Sequence, residues 1–88
     1  MNMNGFEAMM KSLKSARWLG WINRRDETGL FCPVGAAMMV KDGGTQQGVL
    51  DELFGRYPEA RKSLVWTMTR DGRRVDFRTR EHLTIGLK

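Results

Sequence analysis

Residues 64–78 carry the pattern of a β-hairpin, and this pattern leaves few folds open to the chain. At its centre, Asp71 and Gly72 supply the positive φ angles that a two-residue hairpin loop requires. Pairing the flanking residues outward from that loop produces one apolar face and one polar face. The apolar face pairs Trp66 with Phe77 and Met68 with Val75, and the polar face pairs Thr67 with Asp76 and Thr69 with Arg74.

The end of the chain alternates in the same way, because Leu83, Ile85 and Leu87 would lie on one side of a strand. We therefore predict a third strand over residues 82–87, which would place Leu83 beside Phe77. The alternative is a C-terminal helix, whose period these apolar residues fit poorly.

The N-terminal part of the chain shows helical signals instead. Apolar residues recur at helical spacing after Asn4, Pro33 suits the first turn of a helix, and Thr45 is a good N-cap. Helices are predicted over residues 4–19, 33–40 and 45–54, with a short turn over 59–62. Residues 23–29 are predicted to form an exposed loop, with short strands on either side of it as an alternative.

These elements predict an α+β fold, with N-terminal helices packed on a C-terminal three-stranded antiparallel β-meander. The strands are expected near residues 64–69, 73–78 and 82–87. We expect one domain over residues 1–88, with its helical part at about 4–62 and its meander at about 64–87.

Composition predicts a folded cytoplasmic protein. Hydrophobic residues make up 41% of the chain, which is typical of globular proteins. The only cysteine, Cys32, has no partner for an internal disulfide, as expected in a reducing compartment. No apolar stretch approaches the ~20 residues of a membrane-spanning helix, and the N-terminus does not resemble a secretory signal. We expect no contact with a membrane.

The sequence offers no recognisable catalytic motif, since phosphate-binding loops, Gly-x-Ser-x-Gly and paired Cys-x-x-Cys are all missing from it. We therefore expect no enzymatic activity, small-molecule substrate, cofactor or metal. Cys32 has two possible roles. It could be a reactive thiol, activated by a helix N-terminus and with His82 as its base, or it could only fill a gap in the core.

Positive charge is the clearest functional signal. The net charge is +5, and ten of the fifteen cationic residues are arginine, whose planar fork suits phosphate and carboxylate groups. We expect binding through a cluster on or beside the hairpin, made of Arg70, Arg73, Arg74, Arg78 and Arg80. Secondary candidates are Trp21 as an aromatic anchor, and Arg24 with Arg25, whose charges Asp26 and Glu27 largely offset. The hairpin arginines could instead only protect exposed strands from aggregation.

The stretch from Trp18 to Ala37, with its Arg-Asp loop and its Cys-Pro-Val-Gly-Ala-Ala segment, resembles small proteins of phages and mobile elements. That resemblance implies an accessory or inhibitor protein that binds a host macromolecule, and it assigns no residue roles. We expect a small non-catalytic protein that binds an acidic protein surface. The alternative is a nucleic-acid-binding protein that uses the arginine-rich hairpin, for which affinity should fall steeply with salt.

Overall fold

A computed structural model describes residues 3–80 of the chain, which form helices and one four-stranded antiparallel sheet. The helices are α1 (Met3–Lys11), α2 (Gln46–Arg56) and α3 (Ala60–Ser63). The strands are β1 (Ala16–Arg25), β2 (Phe31–Val40), β3 (Leu64–Met68) and β4 (Arg74–Thr79), arranged in the order β1-β2-β4-β3. The α+β class is confirmed, but the sheet has four strands in the described residues rather than three.

The predicted hairpin is present as β3 and β4. Trp66 pairs with Phe77, Met68 pairs with Val75, and Gly72 has a φ of 77°. At the turn, the Asp71 carboxylate accepts hydrogen bonds from the Thr69 hydroxyl at 2.7 Å and the Arg73 N–H at 3.0 Å. The hydrogen bond from Thr69 is the main cause of the lowered pKa of Asp71. The predicted register is therefore correct, but the predicted two-residue loop is wrong. Gly72 alone has a positive φ in this turn, and the Thr69 N–H donates to the Arg74 carbonyl at 3.1 Å, so the loop spans residues 70–73.

The helix predicted over residues 45–54 is also confirmed, as α2. Its N-cap is Thr45, whose hydroxyl accepts the Gly48 N–H at 2.9 Å. The helix buries the four apolar residues expected from the sequence: Val49, Leu50, Leu53 and Phe54. The short turn after Pro58 appears as α3.

The helix predicted over residues 33–40 is wrong, because this segment forms β2. Residues 34–38 are all buried in a strand that is flanked on both sides by other strands. Ala36 and Met38 face the helices, and on the other face Gly35 and Ala37 are small enough to be buried by the side chains of the flanking strands. Such a strand shows no polar alternation, and its continuous apolar run can be mistaken for a buried helix.

The helix predicted over residues 4–19 ends at Lys11, and β1 begins at Ala16. A β-bulge at Leu19 explains the error, because Trp18 pairs with Met38 whereas Gly20 pairs with Ala37. The extra residue places Trp18 and Trp21 on the same face of the sheet, where their rings lie 5.0 Å apart. A spacing of three residues between apolar side chains is the spacing of a helix.

The predicted C-terminal meander is also wrong about which strand pairs with the second edge of β4. Its third strand, over residues 82–87, lies outside the described residues. The edge of β4 that the meander assigned to this strand is paired with β2, and Ala36 rather than Leu83 lies beside Phe77. The predicted helical part, residues 4–62, therefore contains the β1–β2 hairpin, and the loop predicted over 23–29 is shorter because residues 23–25 belong to β1.

The core lies between the helices and one face of the sheet. Helices α1 and α2 contribute Phe6, Met10, Val49 and Leu53, and the sheet contributes Met38, Val75 and Phe77, all fully buried. No helix of residues 3–80 lies on the other face, which we call the helix-free face. Within the same residues, no helix is long and apolar enough to span a membrane.

Candidate functional site

The β1–β2 hairpin extends beyond the rest of the sheet. Strand β4 pairs with residues 35–39 of β2, so within the described residues 3–80 residues 31–33 pair only with residues 23–25 of β1. We call residues 23–33 the arm and residues 26–31 the arm tip. The arm projects a short segment of chain away from the core.

The arm tip forms a turn that the sequence specifies. The Asp26 N–H donates to the Leu30 carbonyl at 2.8 Å, and the Gly29 N–H donates to the Asp26 carbonyl at 3.1 Å. Gly29 has a φ of 87°, the left-handed conformation that follows a type I turn in a three-residue hairpin loop. Asp at the first position and Gly at the fourth are preferred for this turn.

The Asp26 side chain holds the tip in place. Its Oδ1 accepts hydrogen bonds from the Thr28 N–H at 2.9 Å, the Thr28 hydroxyl at 2.7 Å and the Leu30 N–H at 3.0 Å. The hydrogen bond from the Thr28 hydroxyl is the main cause of the lowered pKa of Asp26, because it stabilises the ionised carboxylate. The conformation of the tip is therefore fixed by its own hydrogen bonds.

This tip exposes two large apolar side chains. Leu30 is 67% exposed and Phe31 is 64% exposed, the highest values among the exposed large hydrophobic residues of the described chain. The Arg25 guanidinium lies 4.5 Å from the centre of the Phe31 ring and also donates to the Gly29 carbonyl at 3.2 Å. Aromatic and arginine side chains together are typical of the energetic centre of a protein interface.

Cys32, at the base of the tip, lies in a strand and not at a helix N-terminus. Its Sγ donates to Oδ2 of Asp26 at 3.5 Å, and this contact with a carboxylate raises the pKa of the thiol. The helix-activated Cys32 considered from the sequence is therefore wrong, and the thiol stays protonated near neutral pH.

Cationic side chains from two strands meet on the helix-free face. On this face, residues that are paired across neighbouring strands form three rows, each running across the sheet roughly perpendicular to the strands. The rows are Arg17–Met39–Arg74, then Gly20–Ala37–Asp76–Thr67, then Ile22–Gly35–Arg78–Val65. Arg17 on β1 therefore shares a row with Arg74 on β4, on the far side of β2.

The structure separates the arginines of the predicted cluster. Arg74 forms a bidentate ion pair with Asp76, at 2.6 and 2.9 Å, which raises the pKa of Arg74 and offsets its charge. Arg78 is exposed, with its Cγ close to Gly35. Arg70 and Arg73 are exposed in the turn, and Arg80 is exposed just after β4.

The secondary candidates also lie apart. Arg24 is exposed on the arm, opposite Cys32. Trp21 is partly buried, packed edge-on against Trp18 and 6.0 Å from the Phe6 ring. It contributes to the core beneath α1, and we do not include it in a contact surface.

A shallow basic groove lies at one end of the sheet, where β2 ends. Its volume is about 720 Å³, and its lining is Arg17, Met39, Val40, Lys41, Asp42 and Arg73. The Val40 N–H donates to the Arg73 carbonyl at 2.7 Å, which fixes the position of the β3–β4 turn relative to β2. Arg17 and Arg73 thus flank the groove from two different hairpins.

Sequence reasoning missed Leu30, Phe31 and Arg17. The Asp-Glu-Thr-Gly segment at residues 26–29 was the signal for the arm, because it matches a type I turn followed by a left-handed glycine. Arg17 had no such signal, since its place depends on pairings between distant segments.

The described residues contain no group of three His, Cys, Asp or Glu side chains that could hold a metal ion. The chain matches no known family model, no curated protein and no solved structure. The candidate surfaces are the arm tip and the helix-free face with its basic groove, each defined by its own geometry.

Proposed function

We propose that this chain is a small non-catalytic binding protein that acts through protein–protein contacts, with the arm tip as its anchor. The observation that carries the proposal is the exposure of Leu30 and Phe31 on a projecting turn held by hydrogen bonds. A convex apolar tip is complementary to a concave apolar pocket on a partner.

The energetics favour such an anchor. Complete burial of a Leu or Phe side chain contributes about 1.5 to 3 kcal/mol. Because Asp26 already fixes the turn in the free protein, little conformational entropy is lost on binding. The tip can therefore retain most of the energy gained by burial.

Charge around the tip favours an acidic rim on the partner pocket. Arg24 and Arg25 are both exposed on the arm. The Asp26 carboxylate is held within its own turn but keeps its charge, so together with the exposed Glu27 it still offsets part of this positive charge. Charged groups at the rim of an interface chiefly increase the association rate and the specificity.

An accessory or inhibitor protein of a phage or mobile element, acting in the cytoplasm on a host macromolecule, is the biological class we propose. The resemblance over residues 18–37 supports this class, and the arm lies within that stretch. A thiol that is kept protonated and has no disulfide partner suits a reducing compartment.

Affinity capture from a nuclease-treated lysate of the cell in which the protein acts tests the proposal. Leu30→Ser with Phe31→Ser should weaken capture of the partner at least about tenfold, a loss of at least ~1.4 kcal/mol. The matched control is Leu19→Ser with Met68→Ser, which alters the other two exposed large hydrophobic residues of the described chain. Equal capture by both variants, or complete loss of the partner after nuclease treatment, would contradict a protein-binding arm tip.

A further inference from the structure

We propose a second interaction surface: the helix-free face and its basic groove bind the phosphate backbone of a duplex nucleic acid. This surface is separate from the arm tip, and the proposal does not depend on the proposed protein contact. It rests on where the fold places cations and on which of them have anionic partners.

The cations of this surface are largely unpaired. Within residues 3–80, Arg17, Arg73 and Arg78 form no salt bridge, although the Asp71 carboxylate attracts Arg73 within the same turn, and Arg74 is paired with Asp76. On α1 and α2, by contrast, Lys11 pairs with Glu7 and Arg56 pairs with Glu52, whereas Arg61 and Lys62 on α3 form no salt bridge within residues 3–80. Guanidinium groups without a carboxylate partner remain available for an external anion, and their planar fork matches phosphate.

Few acidic residues lie on this surface, although Asp42 lines the groove and Asp71 lies in the turn beside Arg73. Asp76 is the only carboxylate in the three rows, and it is bound to Arg74. Glu7, Asp51, Glu52 and Glu59 belong to or adjoin the helices. The helix-free face therefore presents a net positive field toward solvent, although Asp42 weakens it at the groove.

The dimensions of the cationic surface fit a polyanion. Arg17 and Arg78 lie in rows four residues apart along the strands, a distance of about 13 Å. A duplex carries one negative charge per about 1.7 Å of its axis, so ~8 phosphates occupy this length, about half of them on one side. The surface is thus long enough for several phosphate contacts.

The side chains on this face favour a duplex over a single strand. None of the residues in the three rows is aromatic. Single-strand binding gains much of its energy from bases stacked on aromatic rings, and this face offers none. Phosphate contacts without stacking are typical of binding to duplex backbone.

Fluorescence anisotropy with a labelled mixed-sequence duplex of about 20 base pairs tests the inference at about 50 to 200 mM salt. Three contacting arginines predict a log–log salt slope of about −3. Arg17→Glu with Arg78→Glu should weaken binding at least about tenfold, and the corresponding glutamine variant should weaken it less. The glutamine variant also keeps part of the packing of Arg78 near Gly35, in case the glutamate variant fails to fold.

The matched control is Lys14→Glu with Lys62→Glu, which changes net charge equally on residues outside this face and should weaken binding less than about threefold. Leu30→Ser with Phe31→Ser should leave duplex affinity unchanged, which separates this surface from the arm tip. Equal losses in the two charge-reversed variants would overturn the inference. Tighter binding of a single strand of the same length, or no duplex binding at about 50 mM salt, would also overturn it. A third contrary outcome is that the helix-free face binds a second copy of the chain, seen as a dimer that Met39→Glu dissociates.

Discussion

At the residue scale, Glu52 shows how one side chain joins separate elements. Its carboxylate, on α2, accepts the Lys14 N–H at 2.9 Å, the Ser15 N–H at 2.9 Å and the Ser15 hydroxyl. Arg56 lies 3.3 Å away, one turn along the same helix. Burial alone would raise the pKa of Glu52, but these hydrogen bonds outweigh it and lower the pKa to about 2. The ionised carboxylate thus fixes the connection between α1 and β1 against α2.

The lowered pKa predicts a pH-dependent contribution of Glu52 to stability. The folded pKa is about 2 and the ordinary value is 4.5, so the contribution is complete above the ordinary value and is lost as pH falls toward 2. Allowing for solvent screening, we expect Glu52→Gln to lower the free energy of unfolding by about 2 kcal/mol at pH 7 and by less at pH ~3. Urea denaturation at both pH values measures the difference. The control is Glu59→Gln, which alters an exposed residue and should change the free energy of unfolding little at either pH. If Glu52→Gln lowered the free energy of unfolding by the same amount at both pH values, this role of Glu52 would be contradicted.

At the element scale, the β3–β4 turn determines the register of the hairpin. Gly72 occupies the left-handed region that β-branched residues adopt only with strain. We expect Gly72→Val to destabilise the fold by roughly 1 kcal/mol or more, measured as a lower Tm. Arg70→Val in the same turn is the control, because no described non-glycine residue has a positive φ. That variant should stay within about 0.5 kcal/mol of the wild type, and a Gly72→Val protein with an unchanged Tm would show that the turn tolerates other conformations.

The elements that were predictable from sequence are those with local chemical signals. The β3–β4 hairpin follows from Asp71 and Gly72, and α2 follows from its Thr45 cap. Strand β1 was missed because its bulge at Leu19 produces helical spacing, and β2 was missed because burial on both faces removes alternation. Because β1 and β2 were both predicted as helices, the arm tip could not be predicted, since it is the turn of the hairpin that these two strands form.

At the scale of the whole molecule, long-range pairing decides both the architecture and the cationic surface. Strand β2 pairs with β4 across more than thirty residues of intervening sequence, with Ala36 opposite Phe77. No local pattern encodes this pairing, which explains why the C-terminal strands were predicted as a separate meander. Because β2 lies between β1 and β4, Arg17 comes into one row with Arg74. Their separation in sequence therefore gave no sign of a shared surface.

The same pairing makes Phe77 central to the stability of the molecule. Its side chain is fully buried between Ala36 on β2 and Trp66 on β3. We expect Phe77→Ala to cost about 3 to 5 kcal/mol, a large share of the ~4 to 13 kcal/mol available to a domain of this size. Phe77→Leu should cost less, about 1.5 kcal/mol, and remain folded.

Phe31→Ala is the matched control, because it removes the same ring from a side chain that is 64% exposed, and it should cost under about 1 kcal/mol. Urea denaturation followed by circular dichroism measures all three. Equal losses for Phe31→Ala and Phe77→Ala would contradict the central role of Phe77, because an exposed ring would then contribute as much as the buried one.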